Sequence, residues 1–275
     1  MSIAEITVLA VMVLTFILIM IRCFGVREGR VIKRYQVGKA MTIGKRQVQE
    51  DYCGISRTTQ GLLAVLADGM GRNYGGKIAS KITVNTIETI FTAVNAFENP
   101  IYFFKRALYA ANREILKELD EGHGGASVAV TVIQDDKLYY ALVGNVKVAI
   151  YRDGCLVPLS NGHTFDVLAE AQYYRGELTR EDAQGLLKSR RLYNYLGQDG
   201  FGDIEFFDTP VALESKDVVV IMTDGVFEGT TWREIEECVG HPKTCQARAA
   251  EIMELIHHAN KKEQDNASII LIEQP

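Results

Sequence analysis

Two segments of the sequence share one design. Val65-Leu66-Ala67-Asp68-Gly69 and Ile221-Met222-Thr223-Asp224-Gly225 each place an aspartate and a glycine at the end of an apolar run. The run reads as a buried strand, and Asp-Gly reads as the turn that ends it. A strand end holds a carboxylate rigidly, and glycine lets its own carbonyl approach a ligand closely. Glu50-Asp51 precedes Tyr52, and Asp265-Asn266 immediately precedes a further apolar run, Ala267–Ile272. Carboxylates gathered in one place repel one another and must take up protons or cations. Oxygen-only ligands suit Mg2+ or Mn2+ rather than zinc. Two such ions about 3.5–4 Å apart lower the pKa of a water between them and clamp a phosphate for in-line attack. Taken singly, Asp-Gly is a common turn and Glu-Asp is usually solvated surface. Spacing alone does not bring the four segments together.

The elements that must position these groups can be outlined from periodicity. Leu62–Ala67 is a strand by composition, and Gly76–Asn95 follows it with apolar residues near helical spacing. A second helix is expected over Ile101–Leu119, with Ile101, Phe104, Leu108, Ala111 and Ile115 on its apolar face. Strands follow at Ala126–Ile133, Leu138–Val143 and Val146–Tyr151, with turns at Asp135-Asp136 and Asp153-Gly154. Helices are expected at Thr164–Tyr174 and at Thr179–Lys188, the latter opened by a capping arrangement, Thr179-Arg180-Glu181-Asp182. Ile204–Asp208 and Val218–Thr223 read as strands, Trp232–Val239 and Gln246–Asn260 as helices, and Ala267–Ile272 as a final strand. Helices between and after β-runs predict an α+β sandwich of sheets covered by helices.

The ordered set Arg46-Gln47-Val48-Gln49-Glu50-Asp51, Ala67-Asp68-Gly69-Met70-Gly71, Thr223-Asp224-Gly225 and Asp265-Asn266-Ala267-Ser268 resembles the motifs of the metal-dependent protein phosphatases, the type 2C Ser/Thr phosphatases. Gly125-Ala126-Ser127 resembles the family's Gly-Ser-Thr segment, and Val143-Gly144-Asn145 its Gly-Asp-Ser segment. Tyr151-Arg152-Asp153-Gly154 matches the hairpin after it, and Arg175–Thr179 with Leu196-Gly197 resembles the flap of bacterial members. The resemblance runs from about Gly38 onward; any one motif is weak, and the ordered set is specific.

This resemblance implies a four-layer α-β-β-α sandwich with a central antiparallel β-sandwich and a binuclear Mg2+ or Mn2+ centre at one end. It implies that Asp68 bridges both ions, with the Gly69 carbonyl helping to hold one. Glu50 would bind the second ion, Asp224 and Asp265 the first, and Asp51 the metal-held water. Arg46 would grip the substrate phosphate, where a planar guanidinium suits bidentate binding. The implied reaction is hydrolysis of phosphoserine or phosphothreonine in proteins by a metal-activated water.

Asn145 stands where the family carries an aspartate for a third ion, and an amide is a poorer Mg2+ ligand. Glu228 keeps an acid where another third-ion ligand is expected. Arg72 replaces a glycine of the Asp-Gly-x-Gly-Gly pattern and reads either as an added phosphate contact or, the slightly favoured reading, as a solvent-facing side chain. His163 reads either as a structural histidine or as a proton carrier. The alternative function is a membrane-tethered pseudophosphatase that binds phosphoproteins without turnover, and a hydrolase of small phosphoesters would keep the same site.

Ile3–Ile21 is almost uninterrupted apolar sequence, long enough as a helix to cross a hydrocarbon core of roughly 30 Å. Arg22, Arg27, Arg30, Lys33 and Arg34 follow it, whereas no Lys or Arg precedes it and no small-x-small site follows it. That pattern favours an anchor over a cleaved signal peptide and puts the following domain in the cytoplasm. The expected organisation is an anchor over 1–22, a basic juxtamembrane linker over 23–36 and a catalytic domain over 37–275. Expected partners are phosphoproteins near the membrane, including a membrane Ser/Thr kinase or its targets. The net charge of -5 argues against non-specific nucleic-acid binding. Five cysteines without CxxC spacing indicate reduced thiols rather than a disulfide framework or a zinc site.

Overall fold

The computed structural model describes residues 35–119, 123–207, 209–259 and 261–274, together with Met12 and Thr15. Among the described residues no helix is long and apolar enough to cross a membrane. The expected anchor, apart from Met12 and Thr15, lies outside them, as does the basic linker up to Arg34. Residues Arg34–Pro275 form one compact unit.

In chain order the elements are β1 (Gln36–Thr42), β2 (Tyr52–Arg57), β3 (Leu62–Gly71), α1 (Gly75–Ala93), α2 (Pro100–Glu118), β4 (Gly124–Gln134), β5 (Lys137–Val143), β6 (Lys147–Arg152) and β7 (Cys155–Pro158). Then come α3 (Phe165–Tyr174), α4 (Arg180–Leu186), β8 (Glu205–Phe206), β9 (Val211–Ala212), β10 (Val218–Met222), α5 (Asp224–Gly229), α6 (Trp232–Val239), α7 (Cys245–Ala259) and β11 (Ala267–Glu273). One sheet has the order β1-β11-β10-β6-β7; the other has β2-β3-β4-β5-β8, with β9 also on β5. Every strand pairing is antiparallel.

Period-two alternation explains the layers. On β3, Leu63, Val65 and Ala67 join Phe91, Phe103, Leu108 and Ile115 from the helices α1 and α2. The intervening Leu62, Ala64 and Leu66 join Val148, Val219, Ile221 and Ile270 of the opposite sheet. On β10 the alternate residues Val218, Val220 and Met222 face away from that middle layer and pack with Ile235, Ile252 and Ile256 of α6 and α7. The result is helices, sheet, sheet, helices. Strands sandwiched on both faces must be apolar throughout. β4 is buried at ten of its eleven residues for that reason, and each large side chain contributes roughly 1.5–3 kcal/mol.

Some elements fall outside the sequence expectations. Gln36 and Tyr35, assigned to the linker, belong to the folded unit: β1 begins at Gln36, and the Tyr35 ring is buried. β1 and β2 are edge strands with mixed polar sequences, so alternation is faint in them. The six-residue α5 is too short to show a helical period. The strand expected at Ile204–Asp208 shrinks to Glu205–Phe206.

The candidate active site

Strand registers explain why distant segments meet. Asp68 on β3 is paired with Ser127 near the start of β4, and Ala67 with Tyr52 at the start of β2. In the other sheet, Met222 ends β10 against Ile269 of β11 and Lys147 of β6, and Thr42 ends β1 against Ala267. The loops before β2 and β11 and the turns after β3, β5 and β10 therefore gather at one end of the sandwich. Those segments carry Glu50, Asp51, Asp68, Asn145, Asp224 and Asp265.

Asp51 is buried and ties the two sheets together. Its Oδ2 accepts from Ser268 Oγ at 2.6 Å and from Thr223 Oγ1 at 3.1 Å, while Oδ1 is buried without a hydrogen-bond partner. Burial is the largest cause that pushes its carboxyl up to about 7; the two hydroxyl bonds oppose it, and Asp224 and Asp265 add to it. Asp68 is held well above the usual carboxylate range, first by burial and then by repulsion from Asp224, Asp51 and Asp265. Asp224 is also raised, by burial and then by Glu228 and Asp265, although Asn145 Nδ2 donates to its Oδ2 at 2.8 Å. These four aspartates share one electrostatic environment.

Glu50 is placed by Asn266. The Asn266 side chain accepts from the Glu50 N–H at 2.7 Å and donates to the Ile43 carbonyl at 2.9 Å. Burial raises the Glu50 carboxyl, with Arg46 opposing, Asp265 adding and the Lys77 N–H opposing. That N–H belongs to the first turn of α1, where a helix end favours negative charge. Arg46 Nη2 lies 2.6 Å from Asp265 Oδ2, with both side chains largely exposed. The residue expected to receive phosphate is thus paired with a residue expected to receive metal.

Gly69 is held by close packing. A Cβ there would overlap the Gly76 carbonyl and lie 2.6 Å from the Glu50 carbonyl oxygen. Gly225 is similarly confined by the Asn266 carbonyl.

The third-ion region has its own cations. Arg190, in the stretch after α4, lies 2.6 Å from Glu228 through Nη1. Lys147 shares a cavity with Asn145, Asp166, Arg190, Asp224 and Glu228. Burial pulls its ammonium down, against Glu205 and Asp166. The Arg190 link is exposed, so its share of global stability is about 0–1 kcal/mol. Its expected effect is local. Arg190→Ala should leave the thermal midpoint nearly unchanged and speed proteolytic cleavage within residues 165–191 by up to about fivefold. Limited proteolysis followed by mass spectrometry checks this.

His163 is buried and structural. Its backbone N–H donates to the Gly144 carbonyl at 2.7 Å, and its ring Nδ1 accepts from the Gly144 N–H at 3.0 Å. Burial holds the imidazole below its ordinary value, with Asp203 and Glu205 opposing. It therefore fixes the loop that carries Asn145. Arg72 is exposed, as expected.

All nine residues marked in the sequence fall at this end of the molecule. Sequence reasoning missed Thr223, Ser268 and Asn266 as positioning groups. Each stands beside a marked aspartate or within its motif, and that adjacency was the available signal. Arg190 and Lys147 gave none.

The donor set fits hard divalent cations at the aspartate cluster. It is all oxygen, mutually repelling, and includes the unpartnered Asp51 Oδ1. A third cation fits poorly beside Lys147, Arg190 and the Asn145 amide.

The family model for protein phosphatase 2C matches residues 40–264. The serine/threonine phosphatase stp of Listeria monocytogenes is 23% identical over 220 residues, covering 77% of this chain and 84% of that protein. The serine/threonine phosphatase structure from S. agalactiae superposes with a TM-score of 0.76 at 22% identity, covering 88% of this chain and all of that one. The catalytic domain of the protein phosphatase PstP, solved with two manganese ions, superposes with a TM-score of 0.65 at 19% identity, over 87% and 97% of the two chains.

Proposed function

This chain belongs to the protein phosphatase 2C family, and from that premise we propose that it is a membrane-anchored phosphatase with a binuclear Mg2+ or Mn2+ centre. The family membership makes it a metal-dependent protein serine/threonine phosphatase. The observation that carries the finer reading is the cluster of Asp51, Asp68, Asp224 and Asp265, in which burial first and neighbouring carboxylates second raise the carboxyls of Asp51, Asp68 and Asp224 and call for cations.

Asp68, the Gly69 carbonyl, Asp224, Asp265 and Glu50 would hold the ions. Bound, such ions lower the pKa of water and neutralise charge on a phosphoryl group. Asp51, fixed by Ser268 and Thr223, keeps Oδ1 available to orient a water and take its proton. Arg46 would move from Asp265 to the substrate phosphate once cations satisfy that carboxylate. A guanidinium there offsets charge that grows in the transition state. The two manganese ions of the PstP structure support the ion count.

Membrane attachment rests on the apolar stretch Ile3–Ile21 and its basic C-terminal flank. That arrangement would place the catalytic domain in the cytoplasm and restrict it to phosphoproteins close to the membrane, a membrane Ser/Thr kinase or its targets among them.

Residues from Val31 onward should release phosphate from a phosphothreonine peptide with Mn2+ and stop when EDTA is added. The Asp224→Asn protein, run in parallel, should give no release. A folded wild-type domain that binds Mn2+ without turnover would overturn the catalytic reading and favour a phosphoprotein-binding role.

A further inference from the structure

A second cluster of metal-ligating side chains lies on the outer helical layer. α6 ends at Val239, and the His241 N–H donates to the Cys238 carbonyl at 3.2 Å, so Cys238 and His241 share one turn. Glu251 reaches the same point from α7. One ligand atom from each of Cys238, His241 and Glu251 lies within 4.8 Å of the other two. Among the described residues this is the grouping of three that meets that distance.

Three details go beyond proximity. The buried Nδ1 atom of His241, in a side chain that is otherwise partly exposed, lies 3.1 Å from Glu251 Oε1, so ring nitrogen and carboxylate already face each other. Glu251 divides its oxygens: Oε1 faces the histidine, while Oε2 is held by Lys243 at 2.9 Å. Cys238 is a buried free thiol, pushed up to about 11 chiefly by burial. The charges acting on it are Glu251, Lys243, Glu237 and Glu234, none of them in the aspartate cluster.

We propose that Cys238, His241 and Glu251 form a zinc-class metal site that staples the end of α6 to α7. Zinc takes sulfur at about 2.3 Å, nitrogen at about 2.0 Å and oxygen at about 2.0–2.2 Å. Tetrahedral ligands at those lengths stand about 3.2–3.8 Å apart, so no pair of the three groups needs to close by more than about 1.6 Å. A thiolate with an imidazole selects zinc or cobalt over the harder ions that suit an all-oxygen centre. Lys243 on the free carboxylate oxygen plays the orienting part that outer partners play at metal sites. The fourth position is left for water. Binding expels the Cys238 proton to solvent, and the thiolate that remains ligates the ion, so affinity rises with pH.

The test uses Co2+ on the full chain with Mg2+ in excess, which occupies the oxygen centre. Binding should add one equivalent of cobalt with a near-ultraviolet thiolate-to-cobalt absorption band, a signature an all-oxygen site lacks. Cys238→Ala should abolish the band. Glu251→Gln, a change on the helix surface, should weaken Zn2+ binding at least tenfold. Both should keep wild-type phosphate release with Mn2+. No band in the wild-type protein, or a band that survives Cys238→Ala, overturns the site. Equal Zn2+ affinity in Glu251→Gln removes the carboxylate from it and overturns the three-ligand proposal.

Discussion

Asp68→Asn should abolish phosphate release while making the metal-free protein more stable. Both effects come from the same charge. The Asp68 carboxyl is inside the aspartate cluster, and its proton is retained because burial, Asp224, Asp51 and Asp265 all oppose its loss. Asparagine copies the protonated shape and can still donate to Asp224. It cannot supply the negative charge that the metal ligand proposed at this position needs. The expected loss in turnover is at least about a thousandfold, or about 4 kcal/mol in barrier. The pH dependence has a definite sign. In EDTA, the unfolded aspartate releases its proton near pH 4. The folded Asp68 keeps its proton to a much higher pH, and Asp51 keeps its own to about 7. A raised folded pKa stabilises below the unfolded value, and that stabilisation drains away as pH rises through the folded value. The wild-type protein in EDTA should therefore lose stability relative to Asp68→Asn as pH climbs from 4 past 7. Thermal melts of both proteins across that range, with EDTA and again with Mn2+, measure the difference. A constant gap between them would mean that Asp68 is not under electrostatic stress.

Gly69→Ala should cost both stability and turnover although it adds a single methyl group. The glycine does not need an unusual φ; the constraint is three backbones converging on one point. The added Cβ meets the Gly76 carbonyl at the start of α1 and the Glu50 carbonyl oxygen. These are main-chain atoms, so no side chain can swing aside. Relief requires moving α1, β3 or the Glu50 loop, at a cost of about 1–3 kcal/mol. Since the loop carries Glu50 and Asp51, turnover should fall at least tenfold even in the folded fraction. Gly185→Ala in α4 is the matched control. Nothing lies within 4 Å of a Cβ there, and alanine in a helix is favoured over glycine by about 0.5–1 kcal/mol. Denaturant melts and phosphate release on the two variants separate local crowding from a general intolerance of glycine replacement.

Much of this architecture could be read from the sequence, for a physical reason. β3, β4 and β10 are covered on both faces, so they are largely apolar runs, and Asp-Gly at two of their ends marks the place where the apolar run gives way to charge. The helices α1 and α2 bury one face against a sheet and carry the spacing that this demands. Edge strands escape because they satisfy half their backbone and little of their side-chain surface: β1 and β2 carry Lys39, Ser56 and Arg57 where a central strand would carry Val or Ile. The ligand candidates were legible as motifs, but their convergence was not. It depends on antiparallel registers, such as Asp68 opposite Ser127, that no local pattern encodes. Hardest to foresee were contacts between segments far apart in the chain. Asp51 with Ser268, Asn266 with Glu50 and Arg190 with Glu228 each join residues whose own neighbours give no hint of the partner.

The position of β11 bears on how the molecule is made. It is the last strand in chain order, yet it lies between β1, the first, and β10. A ribosome therefore delivers β1 long before β11, its neighbour in that sheet, exists, and β10 emerges with one edge open. Asp265, Asn266 and Ser268 arrive with the same late segment. A growing chain that lacks this segment holds neither the closed sheet nor the complete set of acids. Pairing across so long a stretch of chain is slow and exposes apolar edges meanwhile. Residues 265–273 thus act as a closing stitch: one segment closes the sheet and brings the last acidic motif.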